Sequence, residues 1–340
     1  MDAIRPTTST SPSLRIVGFA RRATLGLLLA ASLAASLAGP APVAAGQGPL
    51  PTFANGSAPG QVAMLTEDGL LHTGPLTGPA AFLTAPDGRL FVADTLNQRI
   101  LLVDQAGQTS QIVDLSGLER RAGLDQAPMV CDLALAGQSH LYLADAANLT
   151  VLVVDLATGY QRRFGRGGTR PGEFLQINRI RADAEGNAFV EDAATQKTLV
   201  FRRDGVLLAE IPGVTNAAVD RDGRLHQPVF EGNPRERAIE VFDRTGRSHG
   251  ILGRITDPLE ISLVTCLGFD AAGNLHVAYS TDLGRNYAVM GPDGRVRQTR
   301  RHPAFDIGLD VTTPEWVAPD GRILTIKASS QQLAIRELSF

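Results

Sequence analysis

Aromatic residues make up only 5% of this chain, and it has just two cysteines and two lysines, Lys197 and Lys327. It contains no His-Glu-x-x-His and no Gly-x-Ser-x-Gly, so neither a zinc-protease helix nor a nucleophile elbow is present. Beyond residue 45 no apolar run is long enough to span a bilayer. Arg5, Arg15, Arg21 and Arg22 against Asp2 give the first 45 residues a charge of +3, so the formal −3 of the whole chain becomes −6 for the remainder. That balance argues against nucleic acid as a partner. The abundant residues are turn formers: 35 glycines and 20 prolines among 340 residues, with 44% hydrophobic content, predict short strands, frequent reversals and a sizeable core. The expected fold class is all-β.

Residues 1–45 read as a secretory signal peptide. Arg15, Arg21 and Arg22 precede an Ala/Leu-rich run from Ala23 to Ala38, Pro40 and Pro42 break it, and Pro42-Val43-Ala44-Ala45 offers small residues for cleavage. An uncleaved anchor is the alternative, and Arg21-Arg22 leaves the twin-arginine route open. The expectation is a secreted or periplasmic protein, a monomer with no membrane span after leader removal, whose residues 46–340 form one domain.

That domain is built from a repeat. Leu90-Phe91-Val92-Ala93-Asp94 is answered by Leu141-Tyr142-Leu143-Ala144-Asp145 and by Ala188-Phe189-Val190-Glu191-Asp192. Each is followed by a polar loop, a second apolar strand, and a turn at Gly107, Gly159 or Gly205. Weaker copies run from Asp222-Gly223, Ala272-Gly273 and Asp320-Gly321. With the turn glycine as marker and Ser139 standing in once, units begin at 88, 139, 186, 223, 273 and 321, which predicts a six-bladed β-propeller with four-stranded antiparallel blades. An N-terminal strand should close the ring. Gln61 to Leu71, with its Val62-Ala63-Met64-Leu65 run, is the expected segment, pairing with Leu333 to Leu338 and hiding a sheet edge.

Pro86-Asp87-Gly88-Arg89-Leu90-Phe91-Val92-Ala93-Asp94-Thr95-Leu96-Asn97-Gln98-Arg99-Ile100 resembles an NHL repeat. Phe164-Gly165-Arg166-Gly167-Gly168, followed by Pro171-Gly172-Glu173-Phe174, is similar to the linker that this family places before an inner strand. The resemblance is close in the first three units and weak in the last three, where the Asp-Thr-x-Asn-x-Arg loop is missing. It implies a propeller scaffold on which lactonases, lyases and pure binding modules all occur, so function has to come from the site.

Aligned on their turn markers, the units place Ala81, Asp132, Arg179, Asn216, Cys266 and Pro314 at one position near the entry of the inner strand. Ala80, Cys131, Asn178, Thr215, Thr265 and Thr313 precede them. Both rings are more polar than the inner strands behind them. Asp132 and Asn216 resemble the oxygen ligands of a divalent cation, calcium or zinc, in gluconolactonase-like propellers, although Ala80 and Ala81 stand where that family has a glutamate. Arg179 points instead to an anionic ligand. A third possibility is that Asp132 and Arg179 pair with each other across neighbouring blades. A zinc-dependent amidating-lyase resemblance would require histidines from several blades, but His226 and His276 align with Phe91, Tyr142, Phe189 and Leu324 and read as packed side chains. His72, His140, His249 and His302 fall in turns or poorly aligned segments.

Cys131 and Cys266 fall in units opposite each other, too far apart for a disulfide, and should be free thiols. Long loops are expected around Phe230 to Arg237 and Ser280 to Asn286, which would bring Glu231, Asn233, Arg235, Arg237, Asp282 and Arg285 to the loop face. The candidate ligand-binding set is therefore Asp132, Asn178, Arg179, Asn216, Thr265, Arg235 and Arg285, with Asp132 and Asn216 as the metal candidates. No complete catalytic set assembles from aligned positions. The favoured reading is a scaffold that binds a protein, a peptide or a small anionic ligand; the alternative is a metal-dependent hydrolase or lyase with a cation at the channel mouth.

Overall fold

Residues 50–64, 79, 81–303, 315–328 and 331–338 are described in a computed structural model of the chain. The chain clusters into two units, Met1–Val43 and Ala44–Phe340, and every described residue belongs to the second. The expected leader, Ala80, Thr313 and Pro314 of the aligned rings, and His72 lie outside the described residues.

The closing strand is β1 (Thr52–Ala54). Blade one follows as β2 (Ala81–Thr84), β3 (Leu90–Asp94), β4 (Arg99–Val103) and β5 (Thr109–Asp114), and a short helix α1 (Leu118–Ala122) leads out of it. Blade two holds β6 (Val130–Ala136), β7 (His140–Asp145), β8 (Thr150–Asp155) and β9 (Gly159–Phe164). A linker pair, β10 (Arg166–Gly167) and β11 (Glu173–Phe174), precedes blade three, with β12 (Ile177–Ala182), β13 (Ala188–Asp192), β14 (Lys197–Phe201) and β15 (Leu207–Pro212). Blade four is β16 (Ala218–Val219), β17 (Leu225–Val229), β18 (Glu236–Phe242) and β19 (Ser248–Thr256). Blade five is β20 (Ser262–Phe269), β21 (Leu275–Thr281), β22 (Gly284–Met290) and β23 (Val296–Pro303). Blade six takes β24 (Glu315–Val317), β25 (Ile323–Ala328) and β26 (Gln332–Glu337) from the end of the chain and β1 from its beginning, in the order β1-β26-β25-β24.

This is the expected six-bladed propeller, each blade a four-stranded antiparallel meander. The turn between the first two strands recurs because its last residue needs φ > 0, supplied by Gly88 (84°), Gly186 (82°), Gly223 (76°), Gly273 (80°) and Gly321 (85°). Blade two departs: Ala136 pairs with His140 across a three-residue loop, and Gly137 rather than Ser139 carries the positive φ of 66°.

Apolar side chains alternate along the strands and meet those of the next blade. One cluster sits at each interface: blades one and two, two and three, six and one, four and five, three and four, and five and six. The interfaces between blades three and four and between blades five and six hold the smallest clusters, and charged side chains share those seams.

Two expectations need correction. Ring closure is present, but its strand lies upstream of Gln61 to Leu71: Phe53 pairs with Leu333 and is 1% exposed, whereas Val62 makes only an isolated bridge with Asn55. Residues 65–71 lie outside the described residues. The long loop expected over Ser280 to Asn286 is instead a two-residue reversal, because Thr281 pairs with Gly284 and the ladder keeps Arg285 and Asn286 in strand. The loop of residues 230–235 in blade four is present.

The repeat loops themselves are architectural. Asp94, Asp145 and Asp192 are all fully buried. Asp145 accepts from Met129 N (2.9 Å) and Ala147 N (3.0 Å), and Asp192 accepts from Leu175 N (2.9 Å), so each carboxylate ties its own turn to the chain entering the inner strand. Asp94 does more. It takes Arg99 Nε at 2.8 Å, while Arg99 donates to the carbonyls of Ser57, Ala58 and Gln61, clamping the segment that follows β1.

Candidate functional site

The inner strands of blades two, three and five all begin with a bulge. Val130 pairs with Asp145 and Asp132 with Ala144, leaving Cys131 extra; Ile177 pairs with Asp192 and Arg179 with Glu191, leaving Asn178 extra. Bulges of this kind re-aim side chains where a strand meets a functional surface. In blade five, further irregularities between Ser262 and Thr265 and between Cys266 and Gly268 shift the ladder, so that Thr265 faces Ala278. Thr265, not Cys266, therefore occupies the place of Asp132 and Arg179 in this blade. The Cys266 side chain turns into the apolar core between blades four and five.

Two linked clusters form around these entries. In the first, Asp132 Oδ2 accepts from Arg181 Nη1 (2.7 Å) and Ile180 N (2.9 Å), while Oδ1 accepts from Leu133 N (2.9 Å). The partner of Asp132 is thus Arg181, two residues beyond the Arg179 that the aligned positions suggest; both point from the same strand, and Arg181 is the one within reach. The Arg181 guanidinium lies 5.4 Å from the ring centre of Trp316, whose indole N–H donates to Thr84 Oγ1 (3.0 Å).

In the second cluster, Glu191 accepts from Asn178 Nδ2 (3.2 Å) and from the backbone N of Asn216 (2.8 Å). Asn216 has a positive φ of 54°, and its carbonyl accepts from Cys266 N (3.0 Å). Arg179 reaches past blade four to the Cys266 carbonyl, at 3.3 Å. Burial lowers the Arg179 guanidinium to about 10, with Arg181 adding to the shift and Glu191 and Asp132 opposing it. Burial also raises both thiols to about 12, so Cys131 and Cys266 are protonated and inert near neutral pH. Both are free, as expected.

The structure thus joins Asn178, Arg179 and Asn216 through Glu191 and Cys266, and sets Asp132 beside them through Ile180. Arg285 belongs to a separate pair, 2.8 Å from Glu315 on blade six. Arg235 is an exposed residue of the blade-four loop, where its carbonyl accepts from Asp257 N (3.1 Å). His226 and His276 are packed as expected, each with Nε2 on an aspartate, Asp220 at 3.0 Å and Asp270 at 3.2 Å. Among the described residues no group of three or more His, Cys, Asp or Glu side chains is placed to hold a metal ion, and no helix is long and apolar enough to cross a membrane.

Three members of the site escaped the sequence reading: Arg181, Glu191 and Trp316. The signal for Glu191 was there, a carboxylate where the first two repeats have Ala93 and Ala144. Arg181 and Trp316 are departures of the same kind, a charge in an inner strand and the chain's one tryptophan.

No family model matches the chain, and no curated protein matches it. Solved structures do resemble it at low identity. A catalytically inactive virginiamycin B lyase from Staphylococcus aureus with quinupristin is 11% identical, with 78% of this chain and 85% of that one covered and a TM-score of 0.48. A gluconolactonase from Xanthomonas campestris is 13% identical over 85% and 98% of the two chains (TM-score 0.47). A regucalcin from Agrobacterium tumefaciens, described as calcium-binding, is 14% identical over 85% and 94% (TM-score 0.45). At such identities the residues of this site have to be read from their own geometry.

Proposed function

We propose that the protein is an exported NHL-type propeller that binds a small anionic ligand at the mouth of its channel and carries out no reaction there. The state of Asp132 supports this reading. Its two oxygens accept three N–H bonds, one from a guanidinium 2.7 Å away. A hard cation needs several oxygen ligands free to converge on it, and at Asp132 a positive side chain already takes that place. Export is supported by the leader-like composition of residues 1–45.

Thermal unfolding of the purified protein with and without calcium or zinc tests the reading. The expected result is no shift with either ion, for the parent and for Asp132→Ala alike. A site filled at one hundred times its Kd adds about 2.7 kcal/mol, several degrees for a domain of this size. An ion-dependent rise that Asp132→Ala removes overturns the proposal.

A further inference from the structure

The outer strand of blade five, β23, ends its sheet: the order is β20-β21-β22-β23, and among the described residues no strand lies beyond it. Where the closing strand β1 is only three residues long, β23 is eight, and its ladder to β22 runs unbroken from Gln298 opposite Val289 to Pro303 opposite Gly284. Val296 to Arg301 are exposed, six residues in succession, against at most four in any other outer strand. A long, regular, exposed edge is a template for a further strand.

The strand and the residue before it carry Arg295, Arg297, Arg300 and Arg301, with no acidic residue between Asp293 and Asp306. Asp293 holds Arg297 at 2.8 Å and stands 4.0 Å from Arg295, whose side chain is 83% exposed. Arg301 donates to Asn286 Oδ1 at 2.9 Å and lies 3.8 Å from Asp257. One carboxylate is thus shared between the two guanidiniums at the turn end, which keeps a surplus of positive charge there although residues 46–340 carry −6 in all. Successive side chains leave a strand on opposite faces, so Arg300 and Arg301 add their charge on both sides of the edge.

Such an edge selects its partner by sign. A second β23 laid against it antiparallel sets arginine against arginine, which destabilises the pairing. An acidic strand gains backbone hydrogen bonds and guanidinium–carboxylate contacts together. We propose that the edge of β23, over Arg295 to Thr299, is a docking site for an extended acidic segment of a partner protein, added to blade five as a fifth strand. The proposal is independent of what the channel mouth binds.

The probe is a capped, fluorescein-labelled octapeptide alternating threonine and glutamate, titrated into the full chain at low ionic strength, where exposed charges are least screened, and followed by anisotropy. The controls are its threonine–lysine counterpart and the glutamate peptide N-methylated throughout, which keeps the charge and loses the N–H donors. The expected result is saturable binding of the glutamate peptide, at least about tenfold weaker after N-methylation, no binding of the lysine peptide, and slowed amide exchange over residues 295–299. Arg295→Glu combined with Arg297→Glu weakens binding by about tenfold or more. Arg295→Glu alone, at an exposed side chain, weakens it by about threefold and carries the test should the double variant fold poorly. Equal binding of the N-methylated peptide overturns strand addition in favour of a surface that takes any polyanion. Absent binding of the glutamate peptide, or unchanged binding in both variants, overturns the docking site. Self-association of the variants without any peptide binding by the parent also overturns it, and assigns the arginines to keeping copies of the chain apart.

Discussion

Replacing Arg99 by leucine removes the clamp on the N-terminal segment and leaves Asp94 as an uncompensated charge. The Asp94 side chain is fully buried and that of Arg99 is 8% exposed. Besides the carboxylate, Arg99 serves three backbone carbonyls, those of Ser57, Ala58 and Gln61, at 2.8–3.2 Å. Breaking one partner out of a buried pair costs about 3–5 kcal/mol, and the carbonyls of Ser57 and Gln61 lose a charged donor in the same step, while Ala58 O keeps the Gln61 N–H. For a domain of this size that converts to a fall in midpoint of about 5–8 °C. The assay is thermal unfolding followed by circular dichroism and by Trp316 emission, since Trp316 sits in the blade that β1 completes. Asp94→Asn on the Arg99→Leu background removes the stranded charge and should recover about 2 kcal/mol, giving a coupling well outside additivity. A loss under about 1 kcal/mol for Arg99→Leu, or additive effects in the double variant, refutes the view that this pair fastens the ring.

Two further outcomes follow from the geometry. Gly165 has φ +71°, and a Cβ there drives into the ring of Phe174, so Gly165→Ala should lower the urea midpoint by the equivalent of about 2–4 kcal/mol. Gly107→Ala, with φ +78° and open space around it, should cost only about 1–2 kcal/mol; equal losses at the two sites count against the steric argument. His276 is 3% exposed at its side chain, and burial holds its pKa below the ordinary value, with Asp270 opposing and Arg300 adding to the shift. The unfolded chain therefore takes up a proton first, so the stability due to neutral His276 is complete above about pH 6.5 and is lost as pH falls below it. In His276→Phe, which copies Phe189 of blade three, stability measured in urea should vary less between pH 7 and pH 5; parallel profiles contradict the assignment.

The blade count was legible because a φ > 0 turn leaves a glycine at the same place in each repeat, and that mark survives where the rest of the unit diverges. Register was less legible. The bulges of β20 change which side chain faces Ala278 without changing the spacing between turn markers, so Cys266 was set in the place that Thr265 holds. The closing strand was misplaced for a related reason: Thr52-Phe53-Ala54 is only three residues long, and its strand character comes from the edge of β26 and the pocket around Phe53, neither of which is local in sequence. Asn178, Arg179 and Asn216 stand out when two adjacent positions are compared across blades. Glu191, Arg181 and Trp316 lie one strand away, two residues along and three blades on, where that comparison does not reach.

The pairing of Thr52 with Ala334 makes closure the most non-local contact of the fold. Each blade but the last can complete its own meander from consecutive residues, while blade six waits for both chain ends. Contacts of such sequence separation form late and slowly. Until then β26 presents an open hydrogen-bonding edge able to accept a strand from a second chain. The faster one short N-terminal strand finds that edge, the shorter the time for which the edge is open to a second chain.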